Sequence, residues 1–361
     1  MKKIFLDKLV SLMNANKLDA ILVCPSEELG FLAGFTPMMC ERFQGLFIKS
    51  SGDYFYVCNL LYVGELQHTF KDMRIHSWFD GEFMSDVVYR ILEKEGLAGK
   101  TIGVNSTAPA FNTLDIAAKA NITFVNAKPL LEETRIIKTE EELSNLRFSA
   151  SIVDKVFEEV IKFIKPGMKE EDIRTFLFSE MTKLGGAETS GIVATGPNSS
   201  YGHYRGGDRV IEQQDIVLLD YGCTYNGMWS DMSRMIFVGG ISDENRKIYD
   251  ICRKATEAAE AVCSEGAFIP DIDKAARDII DTAGYKEYFD HRLGHGIGYM
   301  IHEGPDIKAS NPRKLEKGMA FSIEPGINIP GKVGMRVEDI VAITGNGTEI
   351  LNKAPHDLII I

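Results

Sequence analysis

Residues 216–231 read Ile216-Val-Leu-Leu-Asp220-Tyr-Gly-Cys-Thr-Tyr225-Asn-Gly-Met-Trp-Ser-Asp231. Four apolar residues run into an acid, the signature of a buried strand that ends at a charge. Tyr225-Asn-Gly227 carries the dipeptide that best closes a two-residue hairpin, so the chain should turn back and bring Asp231 toward Asp220. Two carboxylates facing each other across a hairpin repel, and each makes the other harder to ionise.

Three more groups of this kind lie downstream. His295 sits in Gly294-His-Gly-Ile-Gly298, where bare glycines let backbone approach closely. Glu324 follows Phe321-Ser-Ile323 and precedes Pro325-Gly326, and Glu338 sits among apolar residues in Met335-Arg-Val-Glu-Asp-Ile340. Each has an ordinary explanation taken alone: a strand end, a turn cap, a hydrogen-bonded core histidine, or an ion pair with Arg336. Converging on one place, four carboxylates and an imidazole are stable only around cations. Oxygen donors with one nitrogen suit Mn²⁺, Co²⁺, Fe²⁺ or Zn²⁺ better than a thiolate-preferring metal.

The surrounding chain contains an internal similarity. Lys155 to Gly185 lies over Lys254 to Gly284 without a gap, matching Gly167 with Gly266, Ile173 with Ile272 and Gly185 with Gly284. Each copy reads as helix, glycine turn, second helix, glycine stop. Either two helical hairpins look alike by chance, or the domain has pseudo-twofold symmetry with a site between its halves. Strand-like segments follow the copies at 191–195, 216–219 and 235–238, then at 319–323 and 335–343. The first third alternates instead: a helix over 4–16, strands at 20–23, 46–48 and 54–57, a helix over 87–92, and strands at 101–104 and 122–125. This is an α/β pattern without a catalytic constellation. Residues 31–35, Phe-Leu-Ala-Gly-Phe, read as a core strand or turn. A hinge is expected over 127–141, where Thr139 and Glu142 form a capping-box signature opening a long helix.

Composition sets outer limits. The 361 residues carry 40 basic and 52 acidic side chains, a formal charge of −12, with 45% apolar and 25% charged residues. Such a chain is long enough for two globular domains. Its acidic balance offers no general footprint for nucleic acid or an anionic membrane. No apolar stretch approaches the roughly 18 residues of a spanning helix, and Asp7 and Lys8 interrupt the apolar start after three residues. Six cysteines without a CxxC pair are expected as free thiols in a reducing, cytoplasmic compartment.

The ordered set Asp220, Asp231, His295, Glu324, Glu338, with its flanks LLDYG, SDMSR, HRLGHGIGYMIHEGP, FSIEPGINIPG and GMRVED, resembles the "pita-bread" metallopeptidases. These include methionine aminopeptidase, aminopeptidase P and prolidase. The first usually lacks an added N-terminal domain, so the likeness is to the other two. It implies an α/β N-terminal domain over 1–130, followed by an α+β pseudo-twofold pita-bread catalytic domain over 131–361.

By the same resemblance, Asp231 and Glu338 would bridge two divalent metal ions, Mn²⁺ first among the candidates. Asp220 would hold one metal, and His295 and Glu324 the other. Glu324 would also shuttle the proton of the attacking water. His203 and His302 match histidines that contact substrate, His291 occupies a further histidine position, and Arg336 matches an arginine orienting a ligand carboxylate. The implied activity is hydrolysis of Xaa-Pro bonds in short peptides, by a homodimer. Alternatives are an Xaa-Pro aminopeptidase acting on longer peptides and a divergent non-peptidase of the same fold. Creatinase-like enzymes and pseudo-enzyme binding modules tend to lose ligands that this chain keeps. Three positions depart from the common pattern: Gly202 where proline is frequent, Met235 where threonine is common, and Asn328 where tyrosine is usual. They bear on substrate choice rather than on metal binding.

Overall fold

The computed structural model describes residues 3–70 and 73–361, and the chain divides into two units, one ending at Arg135 and the other starting at Ile136. The first unit is built on a six-stranded mixed sheet. Its strands are β1 (Ala20–Val23), β2 (Gly45–Lys49), β3 (Tyr54–Asn59), β4 (Ile75–Trp78), β5 (Thr101–Val104) and β6 (Thr123–Asn126), ordered β4-β3-β2-β1-β5-β6. The uninterrupted apolar run of β1 suits its interior place, with neighbours on both edges and burial along its whole length. The amphipathic helix Lys3–Ala15 buries Phe5, Leu9 and Met13.

Residues 31–35 depart from the strand or turn expected there. Phe31 and Leu32 are buried on the last turn of the helix Glu27–Ala33. Ser26 caps its start by accepting from the Leu29 amide, and Gly34 ends it in the left-handed region at φ 75°. Capping chemistry at both ends outweighs the aromatic β-propensity between them.

The second unit opens at the capping box. Thr139 and Glu142 satisfy each other's backbone donors and start the helix Glu140–Phe163. A second helix, Glu170–Lys183, completes a hairpin that recurs as Asp243–Val262 and Ile269–Thr282. Gly167, Gly185, Gly266 and Gly284 have φ of 91°, 99°, 82° and 88°. These paired glycines occupy backbone conformations unfavourable to other residues, which accounts for their alignment in the sequence.

Two five-stranded sheets follow the hairpins. One contains β7 (Thr189–Thr195), β8 (Ile216–Tyr225), β9 (Met228–Trp229) and β10 (Met232–Phe237). The other contains β11 (Gly294–Gly296), β12 (Glu303–Ile307), β13 (Ala320–Ile323), β16 (Asp339–Thr344) and β17 (Gly347–Ile350), while β14 (Gly326–Ile329) and β15 (Val333–Arg336) pair separately. A last strand, β18 (Ile359–Ile360), joins the first sheet beside β10.

Along β8, Val217 and Leu219 pack with Val153, Val156, Ile173 and Leu177 of the first hairpin. Ile216 and Leu218 face the opposite way, among Ile248, Cys252, Ile272 and Phe321 of the second half. The period-two alternation therefore buries both faces of the strand between the halves, the pseudo-twofold pita-bread arrangement. The continuous strand expected over 335–343 is split. Val337 and Glu338 leave the ladder between β15 and β16, and Glu338 instead forms a single bridge to Ser233 of β10, its amide 3.1 Å from the Ser233 carbonyl. That bridge joins one sheet to the other. All six cysteines are free thiols, and no helix among the described residues is long and apolar enough to cross a membrane.

Candidate metal centre

The hairpin read from residues 216–231 forms as expected, with Asn226 and Gly227 both at positive φ in the turn between β8 and β9. Asp220 lies on β8 opposite Ser233, and Asp231 immediately precedes β10. Gly222 permits the approach: a Cβ there would overlap the Ser230 carbonyl. The other half supplies His295 from the middle of β11, Glu324 directly after β13, and Glu338 from the break between β15 and β16. Gly294 and Gly296 hold the β11 backbone against its neighbours, since an added Cβ would strike the Ser322 carbonyl in one case and the Gly304 carbonyl in the other.

These five side chains line one cavity of about 580 Å³ together with His203, His291, His302, Asn328 and Arg336. A second cavity of about 480 Å³ shares His203, Asp220, Asp231 and His302 with it, so the carboxylates stand between two lobes. Of the three departures from the common pattern, Gly202 and Asn328 line the first cavity. Met235 does not; it is buried in the apolar core with Phe237 and Tyr249.

The electrostatics are those of a site short of positive charge. Burial, then the charges of Asp220 and Glu324, push the Asp231 carboxyl well above its ordinary range. Burial and the charges of Asp231, Glu324 and Asp220 do the same to Glu338. Glu338 has one oxygen bonded by the Ser233 hydroxyl at 2.7 Å, while Oε1 is buried without a hydrogen-bond partner. A buried carboxylate oxygen left bare costs stability unless something positive meets it. Ligand atoms of Asp231, His295 and Glu338 lie within 4.8 Å of one another, a spacing that one divalent ion can span. The residues therefore fit a metal.

Arg336 sets a guanidinium into the carboxylate cluster. It pairs with Asp220 and donates through Nε to the Ser233 hydroxyl at 2.8 Å. Arg336 thus steadies Asp220 directly and Glu338 through Ser233. Burial opposes ionisation of Glu324, but the hydrogen bond and charge of His295, with Arg336 and His291, outweigh it and hold the carboxyl down to about 2. His295 directs Nδ1 at the Gly296 carbonyl, 3.1 Å away, which leaves Nε2 facing Glu324 at 3.2 Å. The ring of His302 stands edge-on to that of His295, centroids 4.2 Å apart, and burial with the nearby His295 lowers its pKa to about 4. His291 directs Nδ1 at the Arg292 carbonyl, 2.7 Å away.

Two serines escaped the sequence reading. Ser322 accepts from the His295 amide at 3.1 Å and donates to Glu324 at 3.2 Å, and Ser233 holds Glu338. Both are fully buried, Ser322 between Phe321 and Ile323 and Ser233 between Met232 and Arg234. A lone hydroxyl inside an apolar run was the signal available for Ser322; Ser233, beside an arginine, carried none.

Two family models match the chain. Residues 144–345 match metallopeptidase family M24, and residues 6–137 match the creatinase/prolidase N-terminal domain. The chain belongs to metallopeptidase family M24. It is 32% identical to the Xaa-Pro dipeptidase of Pyrococcus horikoshii over 98% of this chain and 97% of that one. Among solved structures, the prolidase of Thermococcus sibiricus superposes with TM-score 0.91 at 33% identity, covering 100% of this chain and 98% of that one. Dipeptidase PepE of Mycobacterium ulcerans gives TM-score 0.91 at 32% identity, covering 99% and 97%. Membership of M24 carries with it peptidase chemistry dependent on divalent metal ions.

Proposed function

We propose that this M24 enzyme is a prolidase-like Xaa-Pro dipeptidase, a cytoplasmic homodimer using two divalent metal ions, with Mn²⁺ the first candidate. The observation that carries the reading is the convergence of Asp220, Asp231, His295, Glu324 and Glu338 on one cavity walled by His203 and His302. Full-length similarity to chains named Xaa-Pro dipeptidase and prolidase supports it.

In this assignment Asp231 and Glu338 would be shared by two metals, Asp220 would hold one, and His295 with Glu324 would hold the other. When bound, the metals lower the pKa of water and polarise the scissile carbonyl. The protein's own groups do the rest. Glu324, ionised at neutral pH, accepts the proton of the attacking water and passes it to the departing nitrogen. That nitrogen belongs to a tertiary amide without an N–H, and like any amide nitrogen it departs as an amine only when protonated. His302, neutral above about pH 4, offers an N–H to the oxygen of the scissile group. His203 contacts the substrate from the wall shared by both lobes.

The test compares kcat/KM on Xaa-Pro dipeptides with that on Xaa-Pro-Yaa-Zaa peptides, before and after chelation and with elemental analysis. Dipeptide preference, loss of activity on chelation and about two metals per chain are expected. A preference for the longer peptides moves the assignment to an Xaa-Pro aminopeptidase. Glu324→Gln should keep some metal yet lose turnover by about a hundredfold or more, the usual worth of a general base. Equal losses of metal and rate would make Glu324 a ligand only.

A further inference from the structure

His203 is exposed on the loop after the short helical turn Gly196–Ser200, and among the described residues its imidazole makes no hydrogen bond. Its position is therefore inherited from the backbone on either side. The adjacent residue, Tyr204, is the half-buried part of an otherwise open stretch, 201–206. Its hydroxyl donates to Glu170 Oε2 at 2.9 Å and accepts from the Asn198 amide nitrogen at 2.8 Å.

Glu170 is only 1% exposed, at the start of the helix Glu170–Lys183. Its other oxygen accepts from the Thr195 amide at 2.7 Å, the Thr195 hydroxyl at 2.8 Å and Asn198 Nδ2 at 3.1 Å. Both oxygens of a buried carboxylate are thus committed to β7 and the loop. Beyond Tyr204 the loop is fastened again, where Arg209 reaches Thr195 Oγ1 at 2.7 Å and pairs with Asp215. The phenol also lies against Gly206: a Cβ at that position would overlap the Tyr204 hydroxyl, so a side chain there would displace it.

We propose that Glu170 and Tyr204 form a buried latch whose purpose is to hold His203 at the wall between the two lobes, making both of them positioning residues for the reaction. A charged acceptor strengthens the hydrogen bond and makes its loss costly, as suits a part that must not slip. The inference rests on the reading of His203 as a substrate contact. Tyr204 itself lines the second lobe, so the competing reading is a direct contact between the phenol and substrate.

A double-mutant cycle separates the two. Tyr204→Phe should lower kcat/KM about tenfold in the parent enzyme, the size of one charge-assisted hydrogen bond. In a His203→Ala background the same change should cost less than about twofold, because the residue it acts through is gone. Gly206→Ala, which removes no hydrogen-bonding atom, should repeat both results with metal content unchanged. A tenfold loss that persists without His203 overturns the proposal, and so does no loss in the parent.

The second measurement needs no turnover. The His203 ring signal in the NMR spectrum of histidine-labelled protein, assigned by its disappearance in His203→Ala, should shift in both Tyr204→Phe and Gly206→Ala. An unmoved signal refutes the latch even in a protein with no Xaa-Pro activity. Absence of that activity in the parent counts against the dipeptidase reading and leaves the ring signal to decide the latch.

Discussion

Glu338 and Asp339 are neighbours in the chain and inhabit opposite worlds. Glu338 faces the cavity among Asp220, Asp231 and Glu324, with a bare buried oxygen. Asp339 faces away, into a cluster with Glu260 and His356 whose ligand atoms are also close enough to hold an ion. There the protein answers the charge of Asp339, although Glu260 Oε1 is, like Glu338 Oε1, buried without a hydrogen-bond partner. Arg234 Nη2 donates to Asp339 at 2.6 Å, and His356 takes its other oxygen. The same guanidinium donates to the carbonyls of Glu338 at 2.7 Å and Ala354 at 2.8 Å, and burial makes those bonds costly to lose. The two clusters therefore differ in how the carboxylates meet positive charge. Around Asp339 the Arg234 guanidinium fastens chain segments together; around Glu338 four carboxylates meet the guanidinium of Arg336, a donor set that fits a metal.

The severest way to break this contrast is Arg234→Met, which strips the rear cluster of its guanidinium. Removing one partner of a buried pair leaves the other charge uncompensated, and unfolding in denaturant should show a loss of about 3–5 kcal/mol. A loss confined to activity would mean that the rear cluster is not structural. Next come Asp231→Asn and Glu338→Gln. Each should lower both metal content and turnover by more than the roughly 10–100-fold typical of partners outside the ligand shell, whereas His291→Ala should stay within that range. Turnover near that of the parent in either bridging variant would refute its role.

The smallest effect sharpens the contrast through pH. Burial and the proximity of Asp339 raise the Glu260 carboxyl to about 9, against an ordinary value of 4.5. The folded state then keeps a proton that the unfolded chain gives up, so this group's contribution to stability falls as pH rises from about 4.5 to 9. Glu260→Gln, with no proton to lose, should melt higher than the parent at pH 8 and converge with it below pH 4.5. A difference independent of pH would show that Glu260 is ionised in the fold.

Much of this was legible in the order of residues. Asp220 and Asp231 announced themselves because a hairpin brings near neighbours together, and Asn226-Gly227 marked its turn. The repeated glycines were equally readable, since each answers a local backbone demand. The strand break at Val337-Glu338 was not, because the apolar spacing of 335–343 continues through it. What interrupts the ladder is Ser233, more than a hundred positions away. Arg234 was hidden for the same reason: its partners are backbone carbonyls and an acid brought near only by the completed fold. Glu170 gave a helix-start signal like any acid in a first turn, and nothing local set apart its bond to Tyr204.

The glycines around the centre bear on which positions of this enzyme can accept a side chain. Gly222, Gly294 and Gly296 are each closed by a neighbouring carbonyl, so even a methyl group would disturb the strands that carry the ligands. Gly202, on the cavity wall one residue from His203, has open space where a side chain would begin. A side chain can therefore be added on the cavity wall at position 202 without meeting another atom, whereas one at 222, 294 or 296 must move the strands from which Asp220 and His295 project.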